Sequence, residues 1–187
     1  MSIFSAFGLS ASAGLNAYIP LLVVALLARF TNLIKLTPPW DTLSSWWIIA
    51  LLVILSLIEF FADKIPAVNH INDLIQTFIR PVAGAILFAA SAQVITNIHP
   101  VLSLAAGLLV AGGVHAVKAL AVRPAVTATT AGAGNIPVSV AEDAIATILS
   151  IVSVVVPIVI SAILILICAW IIIRMWRRAS QGRQLKA

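Results

Sequence analysis

Between Ile136 and Ile173 the chain carries 38 residues whose only charges are Glu142 and Asp143. As one straight helix this stretch would be about 57 Å long, nearly twice the roughly 30 Å hydrocarbon thickness of a bilayer. A break near Ser153–Pro157 is therefore expected, because proline removes a helix hydrogen bond and disfavours helix at the residue before it. The stretch then divides into two crossings, Ile136–Val152 and Val154–Ile173. Such a sequence leaves a soluble fold too little polar surface to cover its core.

The rest of the chain agrees. It is 62% hydrophobic and 9% charged, with a mean hydropathy of +1.15. Further apolar segments run from about Tyr18 to Phe30, Trp46 to Phe61, Val82 to Ile95 and Val101 to Val122. The expected fold is all-α: a polytopic transmembrane bundle of about six spans, with residues 1–178 as one domain and 179–187 as a basic tail. Ala11-Ser12-Ala13 resembles a signal-peptide cleavage site, but no basic residue precedes it and the apolar run is short, so it is assigned to the mature fold. Cys168, the only cysteine, lies in an apolar run and is assigned to packing.

The net charge of +5 does not point to nucleic acid, because Arg174, Arg177, Arg178, Arg183 and Lys186 all follow the last apolar segment as a headgroup anchor. With six crossings both termini fall on one side. Lys64, Arg80, Lys118, Arg123 and the tail then lie inside, against Arg29 and Lys35 outside, which satisfies the positive-inside rule. Trp40, Trp46 and Trp47 fit an outer interfacial belt, and Trp170 and Trp176 an inner one. "TNIHP" reads as an outer connection holding His99; His70 reads as an exposed loop residue.

The polar residues converge on one level. Glu59 and Asp63, four apart, share a helix face. The segment "DKIPAVNHINDLIQTFIRP" has Ile71, Leu74, Ile75 and Phe78 at helical spacing and reads as an amphipathic helix at the inner interface. His115 and Lys118 lie one turn apart, after Gly112-Gly113, which would allow close helix approach. Glu142 and Asp143 open the fifth span. Ionisable groups at this depth are costly and face an interior or a wet cavity, so they are functional candidates. Two plainer readings stay open: internal ion pairs that let the helices assemble, and snorkelling of Arg80 and Arg123 to headgroups.

"SAGLNAYIP" (12–20) and "TAGAGNIPVS" (130–139) share Ala-Gly, an Asn and Ile-Pro before an apolar helix, and "IRPVAGA" and "VRPAVTATTAGA" share Arg-Pro. Interrupted segments in two parts of a chain point to a transporter-like site, and an internal repeat is left open. In "TAGAGNIP" the glycines permit unusual backbone angles, Asn135 can cap, and a first-turn proline presets helical φ. The expected result is an interrupted or re-entrant helix whose N-terminus receives an anion. Asn16, Asn135 and Gly134 are thus candidate ligand-binding residues, with Arg80, Arg123 and Lys118 balancing the ligand's charge. Glu59, Asp63, Glu142, Asp143 and His115 are candidates for coupling to protons or sodium.

"SAGLNAYIPLL", "EFFADKIPAVNHINDLIQTFIRPVAGA" and "AGAGN" together resemble the small bacterial membrane proteins grouped as domain of unknown function 4126. The resemblance covers nearly the whole chain and implies architecture but no activity. It also implies a bacterial inner membrane, with both termini cytoplasmic by the charge count. "GAGNI" is similar to the phosphate loop of membrane acyl-phosphate glycerol-phosphate acyltransferases over five residues, and Pro137 departs from that loop. No catalytic or metal signature occurs, and no cofactor is expected. The expected function is a small transporter or channel-like protein for a small anionic or phosphorylated solute or ion. Alternatives are an enzyme acting on a phosphorylated lipid and a non-catalytic assembly partner. Membrane lipids are the expected surroundings, and the sequence allows a homo-oligomer.

Overall fold

The computed structural model describes residues 2–92 and 98–184, with side chains described outside 66–70, 158–169, 171–173 and 175–184. Among the described residues the fold is all helix: α1 (Ile3–Leu15), α2 (Tyr18–Phe30), a 3₁₀ turn (Trp40–Ser44), α3 (Trp46–Ala62), α4 (Pro66–Ala92) and α5 (Pro100–Val117). A wide π-type turn (Lys118–Val122) joins α5 to α6 (Arg123–Thr130), and α7 runs from Asn135 to Gln184. Three stretches, Ile71–Ala92, Pro100–Thr130 and Asn135–Pro157, are long and apolar enough to cross a membrane. The protein is a membrane helical bundle.

The stretch before Tyr18 forms the centre of this bundle. Ser2 opens α1 with a reciprocal cap, its hydroxyl accepting from the Ser5 N–H at 3.1 Å while Ser5 accepts from the Ser2 N–H. Small residues then face three neighbours. Ser10 donates to the Gly84 carbonyl on α4 at 2.8 Å, and Ser12 to the Ala146 carbonyl on α7 at 2.7 Å. Between helices already surrounded by lipid, close packing and such hydrogen bonds replace the hydrophobic drive. The serines that keep this segment below the hydropathy of a span are the groups that hold it inside.

Direction follows from these contacts. Phe7 meets the Phe88 ring edge-on at 5.0 Å and Ala6 clusters with Phe88 and Ala92, so α1 runs antiparallel to α4. Its last carbonyl, at Leu15, accepts from Lys118 at 3.0 Å. Asn16 is extended, and α2 turns back from the same level towards Phe30, whose ring packs on Trp46. α1 and α2 therefore form a hairpin with its bend in the charged layer. The start of α1 lies at the opposite end of the bundle from Lys118, not beside it as a first crossing at Tyr18 would require.

Two prolines sit inside helices. Pro81 lies within α4, which joins the amphipathic segment to the span after it. Pro157 lies within α7, so the break expected near Ser153–Pro157 does not occur, and α7 extends about 75 Å at 1.5 Å per residue. Neighbouring helices, side chains and local adjustments re-satisfy the backbone groups that a proline frees inside a membrane helix; one turn earlier Ser153 donates separately to the Leu149 carbonyl at 2.6 Å. The side chains of most of the expected sixth span, including Cys168, lie outside the described residues, as do those of Trp176 and the basic tail past Arg174, and of His70. "TNIHP" is described only at Ile98, His99 and Pro100.

Close helix approach occurs at other glycines than Gly112-Gly113. An added Cβ at Gly107 would lie 2.6 Å from Phe88 Cβ and 2.7 Å from Ala85 Cα, whereas one at Gly113 would meet nothing within 4 Å. α4 and α5 cross at Gly84 and Gly107, and Gly113 faces open space.

Candidate functional site

Each element delivers its charge to the bend of the α1–α2 hairpin. Glu59 on α3 and Asp63, its C-terminal cap, share a buried face one turn apart. On α4 the polar positions Asn72, Gln76 and Arg80 recur every four residues and point inward, while Ile71, Leu74, Ile75 and Phe78 are exposed. The amphipathic segment is thus turned with its apolar face out and its polar face towards the bundle. This suits lipid surroundings and brings Arg80, which has no exposed surface, beside Glu59.

The wide turn after α5 does the same for two more cations. The Arg123 N–H bonds to the Lys118 carbonyl, five residues back. In that geometry residues five apart stack, whereas an α-helix would point them in different directions. Pro124 lacks an N–H and sits in the first turn of α6, where none is needed. His115, Lys118 and Arg123 consequently line one face.

These side chains form a continuous network. Arg80 Nη2 lies 2.9 Å from Glu59 Oε1 and 3.9 Å from Asp63 Oδ2. Arg123 Nη2 lies 3.4 Å from the same Asp63 oxygen and 3.0 Å from Glu142 Oε2. Lys118 Nζ approaches Glu142 Oε2 at 2.8 Å, and Lys64 Nζ lies 3.6 Å from Asp143 Oδ2. Asn16 donates to Asp143 Oδ1 at 2.9 Å, while its own Oδ1 accepts from the Tyr18 and Ile19 N–H groups and so caps α2. Asp63 also accepts from Asn72 at 2.7 Å and from Ser139 at 3.4 Å. The two Arg-Pro pairs noted in the sequence thus aim both guanidiniums at Asp63.

The hydrogen bonds fix the state of His115. An arginine N–H can only donate, so His115 Nδ1 accepts from Arg80 Nη1 at 3.1 Å. The proton of the neutral ring is then on Nε2, 3.1 Å from the Thr77 hydroxyl, which in turn donates to the Asp73 carbonyl at 2.8 Å. Both ring nitrogens are committed.

Lys64, Arg80, Lys118 and Arg123 offset Glu59, Asp63, Glu142 and Asp143, so the eight ion-paired groups sum to zero. Taking ions out of water costs several kcal/mol each, and pairing returns this only when the remaining polar atoms are also satisfied. Glu59 Oε2, Gln76 Oε1 and Arg80 Nε are buried without a hydrogen-bond partner among the described residues. Apolar side chains of similar volume often assemble buried helices at equal or lower cost.

Lys118 and Glu142 also line a groove of about 560 Å³, open along one side. Its walls are apolar, from Val110, Val114 and Val117 on α5 to Val138 and Ile145 on α7.

Of the residues nominated from the sequence, Asn16, Glu59, Asp63, Arg80, His115, Lys118, Arg123, Glu142 and Asp143 meet in this layer. Asn135 and Gly134 do not. Asn135 exchanges hydrogen bonds with Thr127 at 3.1–3.2 Å, and the Gly134 N–H donates to the Thr130 hydroxyl at 2.9 Å. Both build the turn from α6 to α7, in which Gly132 takes a φ of 89°. Asn135 precedes Asp143 by eight residues, about 12 Å along the helix. Asn72, Gln76, Thr77 and Ser139 also belong to the site and are not among the residues nominated from the sequence, although the four-residue spacing of Asn72 and Gln76 with Arg80 on α4 is legible as the polar complement of the apolar stripe. Among the described residues no group of three or more His, Cys, Asp or Glu side chains is placed to hold a metal ion.

No curated protein and no solved structure matches the chain. The profile of a family described as "Domain of unknown function (DUF4126)" matches residues 3–178, nearly the whole length, and the chain belongs to that family.

Proposed function

We propose that the protein is a small membrane transporter whose site for a small anionic or phosphorylated solute lies at Lys118 and Arg123. One observation carries this reading: two buried cations converge on a single carboxylate oxygen, Glu142 Oε2, whose residue lines an open groove together with Lys118. A pair of cations 2.8 Å and 3.0 Å from one oxygen is a receptor for an anionic oxygen. Glu142 holds that place until a solute takes it. Glu59, Asp63 and Asp143 keep the other cations neutralised meanwhile, so the carboxylates couple solute binding to protons or sodium.

A second reading, a non-catalytic assembly partner, draws support from the neutrality of the layer. An enzyme acting on a phosphorylated lipid draws less, since His115 has no nitrogen left for acid–base work. We place the charged layer towards the cytoplasmic face of a bacterial inner membrane, an orientation supported by Lys64, Arg80, Lys118 and Arg123 and by Trp46 and Trp47 at the opposite end.

Flux separates the readings. In proteoliposomes, uptake of radiolabelled inorganic phosphate or glycerol phosphate is expected to fall more than about tenfold in Glu142→Gln, with elution of a folded particle unchanged. Asn135→Ala, remote from the layer, is expected to stay within about twofold of wild type. Equal flux in wild type, Glu142→Gln and empty liposomes would leave the assembly role standing alone.

A further inference from the structure

The groove narrows the class of solute, given the transport reading on which this inference rests. Apart from Leu15 it is lined from the stretches Pro100–Thr130 and Asn135–Pro157, which are long and apolar enough to cross a membrane, and in a bilayer an opening between two such stretches would be exposed to lipid. Only Lys118 and Glu142 among its lining side chains are polar; Val110, Val114 and Ile145 extend the apolar wall to one side of them and Val122 and Val138 to the other. A hydrated inorganic anion would lose its water along apolar walls, whereas an alkyl chain leaves lipid for them at no such cost. The slot between α5 and α7 is single, with charge complementarity for one anionic head.

We propose that the groove holds the chain of a single-chain anionic amphiphile, an alkyl phosphate or alkyl carboxylate. Its anionic oxygen takes the place of Glu142 Oε2 between Lys118 Nζ and Arg123 Nη2. A neutral layer cannot accept a net negative charge at this depth without compensation, so each monoanion brings one proton. The proton forms the O–H bond of a Glu142 carboxyl group, and no other bond changes. The groups around Glu142 leave it as the one released carboxylate. Lys118 faces it from the wide turn and Arg123 from α6. Asp63, at the C-terminal cap of α3, keeps Arg80 and Arg123, and Asp143, beside Glu142 on α7, keeps Lys64 and Asn16. Neutral His115 on α5 stands beyond, against Arg80 from α4. Asp73, half-buried on α4, lies at the edge and shares the field at Arg123.

The test uses the full chain in nanodiscs of zwitterionic phosphatidylcholine, titrated in weak buffer with dodecyl phosphate, inorganic phosphate or, in the bilayer, phosphatidic acid. Binding is read by calorimetry and proton uptake by a soluble indicator. Dodecyl phosphate is expected to bind at least about tenfold more tightly than inorganic phosphate, with uptake of about one proton per molecule bound. Gly113→Leu puts a side chain into the groove where a Cβ meets nothing within 4 Å, and is expected to remove that preference. Gly112→Ala, outside the groove, keeps it, and Glu142→Gln binds without taking up a proton. The proposal is overturned by equal binding of dodecyl and inorganic phosphate, by an unchanged preference in Gly113→Leu, or by competition from phosphatidic acid, which would assign the groove to a two-chain lipid. It is also overturned if Gly113→Leu converts a dimer to a monomer, which would seat a second copy there. Inorganic phosphate flux without amphiphile preference removes this inference alone. Absence of binding and flux for every anion removes the transport reading with it.

Discussion

Replacing Arg80 by methionine is expected to cost about 3–5 kcal/mol of stability, the loss that follows when one member of a buried ion pair is removed and its partner remains. Arg80 has no exposed surface, and Glu59, 1% exposed, has no other cation in ion-pair contact among the described residues. Its carboxylate would stay in the bundle with neither solvent nor partner. The double variant Glu59→Gln, Arg80→Met removes both charges and keeps the volume, and is expected to recover most of the loss. Denaturant titration in detergent micelles, followed by helical signal, reads both. A single variant within about 1 kcal/mol of wild type would mean that Arg80 is not desolvated as its burial implies. A double variant as weak as the single one would show that Glu59 is not the group left stranded.

Gly107→Val carries the second large effect. The clash at this position is with backbone and Cβ atoms of Phe88, Ala85 and Gly84, not with the flexible end of a side chain. Relief therefore requires α4 and α5 to separate, which also draws Arg80 and Thr77 on α4 away from His115 on α5. Overpacking of this kind costs about 1–3 kcal/mol, and more where the backbone must move. Gly112→Val is the control, since a Cβ there would sit 3.6 Å from Pro81 Cγ in ordinary contact. Thermal unfolding in one detergent should rank Gly107→Val far below Gly112→Val and wild type. Equal midpoints for the two would contradict the close crossing of α4 and α5.

Much of the charged layer was legible because of what the chain spends elsewhere. In a sequence only 9% charged, Glu59, Asp63, Arg80, Lys118, Arg123, Glu142 and Asp143 stand out, and their positions near span ends place them at one level. Their pairing was not legible. Nothing in linear spacing says that Arg80 and Arg123 would share Asp63, because that depends on which helices are neighbours. α1 escaped notice because hydropathy registers its serines as a deficit, while in place their hydroxyls satisfy α4 and α7 carbonyls. Asn16 and Asn135 look alike in sequence because both open helices. They differ in what the helix end meets: a buried carboxylate for Asn16, and the Thr127 side chain within an outlying turn for Asn135.

The turn at Lys118–Val122 acts as a phase shift. It holds one residue more than an α-helical turn, so all that follows is rotated by about 100° from where an uninterrupted helix would point it. Without that offset Arg123 would look out at lipid and Glu142 would answer to Lys118 alone. The doubly held carboxylate thus depends on the length of a five-residue segment as much as on the identity of any residue in it. Deleting Ala119 would leave every charge in the chain and still take the second cation from the site.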